Sequence, residues 1–214
     1  MLSLTKSPLS QIAYKGKIYN VDLAFDTVLL FLQLQQDKSL SDFDKFVQTN
    51  KLFFGKQELP DDPKFFQESM KLINDEINSH PYGNYQNNKK ESVDNPQQIF
   101  DYQKDAGAIY ASFYAQYHID LNKERGKMHW VVFKALFDGL DDNTYFNRII
   151  SYRTRDLSEI KDPKEKANIA EIQNYYALDG NSLTEEEREE RAFSNNSLTD
   201  MFNTLRNTAT KGGK

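Results

Sequence analysis

Residues 100–157, FDYQKDAGAIYASFYAQYHIDLNKERGKMHWVVFKALFDGLDDNTYFNRIISYRTRDL, decide the fold class. They hold the only tryptophan, Trp130, two of the three histidines, and a dense set of tyrosines and phenylalanines. Tyr102, Ala106, Ile109, Phe113 and Tyr117 recur at steps of three and four, the spacing of one helix face. Met128, Val131, Val132, Ala135 and Leu136 repeat the pattern, and Gly139 closes it. The periodicity predicts helices over 101–117, 123–138 and 142–153. Downstream, Asp162-Pro163 reads as a cap followed by proline in the first turn, where its missing N–H is harmless. The helix so opened carries Ala167, Ile169, Ile172, Tyr175 and Tyr176.

Upstream, HPYGNYQNNKKESVDNP (80–96) has almost no aliphatic residue and reads as a long exposed loop. Before it, three further helices are expected. One follows Asp22 as a cap and carries Phe25, Val28, Leu29 and Leu32. The next opens at Ser41, with Asp44 three residues on, presents Phe43, Phe46, Val47 and Phe54, and ends at Gly55. The third opens at Asp62-Pro63 with Phe66, Met70, Ile73 and Ile77 on one face. QIAYKGKIYNV (11–21) places short β-rich runs around Lys15-Gly16-Lys17 and predicts a small hairpin. Beyond Gly180, Thr184 and Glu187 form a capping box before a highly charged helix, and Leu198, Met201, Phe202 and Leu205 share a face in the segment after it. The expected architecture is mainly α: a compact helical domain with a small N-terminal β-hairpin and a helical C-terminal extension. It divides into 1–80, a polar linker 81–97, a central helical region 98–180, and the extension 181–214 with a mobile tail.

Composition narrows function. The chain has 214 residues, a net charge of −5, 13% aromatic residues and no cysteine. A pI near 5.3 argues against a nucleic-acid binder, which needs a basic face to displace phosphate counterions. Without cysteine there are no disulfides, thiolate metal sites or thiol nucleophiles. The most apolar run, LAFDTVLLFL (23–32), is interrupted by Asp26 and far shorter than a membrane helix. Met1 to Gly16 lacks the apolar core of a secretory signal, so neither secretion nor membrane insertion is expected.

A search for chemistry finds little. His118 and His129 share a face only on one unbroken helix, and Asp120, Asn122 and Gly126 break it; a metal site with Asp120 or Glu124 is disfavoured. His129 reads instead as a helix-start residue beside Trp130. The isolated glycines build neither a phosphate loop nor a dinucleotide fingerprint, and no serine sits in a nucleophile elbow. No catalytic residue, metal or cofactor is expected. Candidate partner-binding residues are Tyr110, Tyr114, Tyr117 and Trp130, a stripe read mostly as core. Arg153 and Arg155, clustered with Arg148 and Tyr152, are further candidates, with pairing to Asp141, Asp156 or Glu159 as the favoured alternative. Leu198, Met201, Phe202 and Leu205 read either as a tethered helix-in-groove ligand or as a segment folded back on its own domain.

The wording and order of several motifs resemble one family. They are YKGKIYNVDLAFDTVL (14–29), FDYQKDAGAIYASFYAQYHIDL (100–121), HWVVFKALFDGL (129–140), IISYRTRDL (149–157) and the DPKEKA…YYAL helix (162–178). Together they resemble the bacteriophage Gp-fifteen family, small tail-cluster proteins of long-tailed phages and prophages, encoded beside the tape-measure gene. Where that pattern carries a second tryptophan after HW, Val131 stands here, a change in packing. The resemblance implies a non-enzymatic tail assembly chaperone that keeps the tape measure protein soluble in the host cytoplasm. The major tail tube protein and a second copy of the chain are further implied partners. The alternative is a structural tail component retained in the virion.

Overall fold

Lys15 and Gly16 both take positive φ, 47° and 80°. Two consecutive left-handed residues are what a two-residue hairpin loop requires, because their twist matches that of the flanking strands. In the structure, a computed structural model that describes residues 2–79 and 99–178, β1 (Gln11–Tyr14) and β2 (Lys17–Asn20) pair antiparallel, with Tyr14 opposite Lys17. Among the described residues everything else regular is helix: α1 (Phe25–Gln36), α2 (Asp42–Phe54), α3 (Pro63–Ile77), α4 (Ala106–Tyr117), α5 (Trp130–Asp138), α6 (Tyr145–Thr154) and α7 (Pro163–Tyr176). The described residues are thus mainly α with one hairpin. None of their helices is long and apolar enough to cross a membrane. The polar stretch expected at 80–96 and the C-terminal extension lie outside the described residues.

Packing divides the described chain into two units, one of residues 2–79 with 102–148 and one of 99–101 with 149–178. In the first, α5 packs against α1, α3 and α4 although a polar stretch separates it from the first two in sequence. Its anchor is a short antiparallel pairing of the chain entering α1 with the chain entering α5. Phe25 N–H donates to Met128 C=O at 2.9 Å, and Trp130 N–H to Leu23 C=O at 2.7 Å.

Local caps fall where the side-chain chemistry places them. Ser41 Oγ accepts from Asp44 N–H, Asp62 and Asp162 accept from the N–H two residues on, and Gly55 ends α2 at φ 62°. Asp22 differs from the cap expected of it: α1 begins at Phe25, and Asp22 accepts from Ala24 N–H (2.9 Å) and Thr27 Oγ1–H (3.0 Å) as an Asx turn ahead of the helix. The helices expected from 101, 123 and 142 begin at 106, 130 and 145. His118 ends α4 in the left-handed region, and turns around Gly126 (φ 67°) occupy the chain before α5.

The buried faces also shift. In α2 the side chains turned inward are Thr49, Asn50, Phe53 and Phe54, while Phe43 and Phe46 are exposed. In α3 the buried line is Phe65, Ser69, Ile73 and Ile77. In α5 it is Trp130, Val131, Phe133 and Phe137, and Ala135 is exposed. Two aromatic hubs result. Phe133 stacks with Phe25 (4.9 Å), Phe113 (5.2 Å), Trp130 (5.6 Å) and Phe137 (5.9 Å). Phe65 meets Tyr19 (4.8 Å), Tyr14 (5.3 Å), Phe66 (5.3 Å) and Phe54 (5.6 Å), so the hairpin lies on the α2–α3 pair.

Ser112, fully buried in α4, ties down the start of α6. Its hydroxyl donates to Ala108 C=O (2.7 Å) and accepts Phe146 N–H (3.0 Å). Ser112→Ala removes both of these buried hydrogen bonds, and equilibrium denaturation is expected to show a loss of about 1–3 kcal/mol.

Asp62 performs two tasks. Oδ1 caps α3 at Lys64 N–H, and Oδ2 accepts from Tyr14 Oη–H (2.6 Å) and Lys15 Nζ (2.7 Å), fastening the hairpin turn to the helix. The Lys15 ammonium, the Tyr14 hydroxyl and the Lys64 N–H hold its carboxyl well below the usual carboxylate range. A depressed folded pKa means the contribution is complete above the ordinary value and is lost as pH falls through the folded one. The melting-temperature gap between wild type and Asp62→Asn, which keeps the cap, is therefore expected to shrink below about pH 4.

Candidate interaction surfaces

The tyrosines of the predicted stripe split between surface and interior. Tyr110 and Tyr114 stack along α4 at 6.3 Å, and Tyr114 is 54% exposed. Tyr110 Oη–H donates to Asp120 Oδ1 at 3.2 Å; burial first, then the Asp120 charge, pushes its pKa upward. Tyr117 Oη–H donates to Leu136 C=O at 2.9 Å, joining α4 to α5. Its oxygen also lies 3.2 Å from where a Cβ on Gly139 would sit, which leaves little room for a side chain at the end of α5. Trp130 is 3% exposed, its indole N–H donating to Ile77 C=O at 3.1 Å. In this conformation it presents no surface to a partner.

Beside Tyr110 opens a cleft of about 330 Å³ between α1, α4, α5 and the turn after α4. Phe25, Ile109, Leu121 and Phe133 line it, with Arg125 at the polar side. Its walls come from four separated stretches of sequence, and only Tyr110 of the candidate residues belongs to it.

The arginines find partners inside the chain, though not the predicted ones. In the second unit, Arg153 Nε–H donates to Tyr176 C=O (2.6 Å) and its Nη1–H to Ile99 C=O (3.1 Å). Arg155 pairs with Glu165 at 2.9 Å, and Gln173 reaches the carbonyls of Tyr152 and Arg155. Tyr152 stacks on Tyr176, leaving Tyr175 80% exposed. In the first unit, Arg148 lies 5.9 Å from the Tyr145 ring, a cation–π distance. In place of the expected pairings with Asp141, Asp156 and Glu159, Arg153 takes two backbone carbonyls, Arg155 the Glu165 carboxylate and Arg148 the Tyr145 ring, because the fold brings those groups within reach.

Two histidines have local roles. His118 closes α4 at φ 57°. His129 is the cap of α5: Nδ1 accepts from Val131 N–H (3.3 Å) and Nε2 meets Leu9 C=O (2.9 Å), so Nε2 carries the proton. Among the described residues no three His, Asp or Glu side chains converge as metal ligands. Leu198, Met201, Phe202 and Leu205 lie outside the described residues.

Exposed apolar side chains were the feature least visible in the sequence. Phe43, Phe46, Leu30 and Leu72 on the first three helices, and Ile18 on the hairpin, all face solvent. Phe46 rests edge-on against Phe66 at 5.3 Å, whereas Phe43 stands 72% exposed. The period-3.6 pattern marked Phe43 and Phe46 as apolar but could not show that the α2 seam leaves the core at its N-terminal end.

No curated protein and no solved structure matches the chain. One family model does, that described as Bacteriophage Gp15 protein, over residues 5–178. That span covers most of the 214 residues and includes every helix described above, so the chain belongs to the Bacteriophage Gp15 protein family and is a phage structural or tail-related protein.

Proposed function

We propose that this protein is a non-enzymatic tail assembly chaperone that binds the tape measure protein and keeps it soluble until tail tube subunits enclose it. The observation that carries this reading is the family match over residues 5–178. The surface supports it. Phe43, Phe46, Leu30, Leu72 and Tyr114 are exposed on the helices of the first unit, and such side chains suit brief cover of the apolar seams of a long helical rod. The net charge of −5 favours solubility of the protein itself.

Mass spectrometry of purified virions tests the assignment against that of a retained tail component. A chaperone leaves on assembly and is expected at trace level or not at all. Stoichiometric amounts, in a fixed ratio to tail proteins, would overturn the chaperone reading and support the structural one.

A further inference from the structure

The cleft beside α4 is lined by Phe25, Ile109, Leu121 and Phe133, all apolar and all buried. At about 330 Å³ it stands at the low end of ligand-pocket volumes, roughly 300–1,000 Å³, which suits one large apolar side chain. Arg125 stands at its edge, exposed, and makes no hydrogen bond or ion pair among the described residues. An apolar socket with an uncommitted cation at its lip calls for an apolar knob with an anion beside it.

The chain carries that knob. Phe43 is 72% exposed and sits between Asp42 and Asp44 in the first turn of α2. The Ser41 cap fixes that turn, with Ser41 Oγ accepting Asp44 N–H at 3.1 Å and donating to Asp44 Oδ2 at 2.6 Å. Knob and socket are therefore both held on ordered elements of the same unit. No α2 residue lines the socket, so Phe43 does not fill the pocket of its own chain.

We propose that a second copy of this protein occupies the cleft: Phe43 of one copy enters the pocket of the next, with Asp42 facing the neighbour's Arg125. Knob and socket are different surfaces, so the contact is head to tail and propagates into a ring or an open chain. It shares Phe43 with the surface offered to the tape measure, but its test uses this protein alone, so its failure and the failure of the chaperone reading are distinguishable.

Two single variants test it on the full chain. Phe43→Glu removes the knob. Gly107→Leu fills the socket from within, since Gly107 lines it and a Cβ there meets nothing within 4 Å. Leucine is also the better helix former, so this variant should melt no lower than wild type. Sedimentation velocity across a concentration series is expected to show wild type associating, and each variant at least tenfold weaker. An equimolar mixture of the two should form a 1:1 heterodimer that grows no further, since the pair retains one intact knob and one intact socket. Wild type that stays monomeric throughout would overturn the proposal. So would variants that associate like wild type, or a mixture that forms no heterodimer.

Discussion

Trp130→Ala is expected to lower the free energy of unfolding by about 3–5 kcal/mol, the range for truncating a large buried aromatic side chain. The indole is 3% exposed, stacks on Phe133 at 5.6 Å and meets Tyr102 edge-on at 6.1 Å. Its N–H satisfies the carbonyl of Ile77, the last residue of α3. Alanine would leave a cavity at the centre of the larger hub and strand that carbonyl. Trp130→Phe keeps most of the stacking but takes the indole donor from the buried Ile77 carbonyl, so a smaller loss of about 1–3 kcal/mol is expected. Urea titration followed by circular dichroism ranks the two. Wild-type stability in the alanine variant would show that Trp130 is not a core residue.

Phe65→Ala should cost a similar amount, about 3–5 kcal/mol, with a different signature. Phe65 is fully buried and touches Tyr14 and Tyr19 of the hairpin, Phe54 of α2 and Phe66 beside it in α3. It is the floor on which the hairpin rests. A two-stranded hairpin has little stability of its own, so its removal should free β1 and β2 before the helices. Limited trypsin digestion is expected to cut at Lys15 and Lys17 much faster in Phe65→Ala than in wild type. Unchanged cleavage at the hairpin would mean that the Asp62 fastening suffices without the aromatic floor.

The contrast between these hubs and the caps shows what the sequence could reveal. Ser41, Asp62-Pro63, Asp162-Pro163, Gly55 and Lys15-Gly16 were legible because each rule spans only a few residues. The cap, the N–H it accepts and the turn it closes are neighbours along the chain. The inward face of α2 was not legible. Phe43, Phe46 and Phe53 are equally apolar, and what buries Phe53 but leaves Phe43 in water is the extent of the elements packed alongside. The pairing of Leu23 with Trp130 joins residues more than a hundred positions apart, and no local pattern encodes it. The cleft is built from α1, α4, α5 and the turn after α4, so its residues carry no common motif. Arg125 and Gly107 stand out only once the fold has brought them to its edge and wall. Trp130 illustrates the reverse case. Its residue type suits an interface as well as a core, and burial alone distinguishes them.

The central claim is tested most directly by co-expressing this protein with the tape measure protein of the same phage, then measuring soluble tape measure and running the lysate through affinity capture and size-exclusion chromatography. The chaperone account predicts that the tape measure is insoluble alone, soluble with this protein, and co-elutes with it as a defined complex. A tape measure that stays insoluble in its presence, or one that is soluble and elutes separately, would contradict the account.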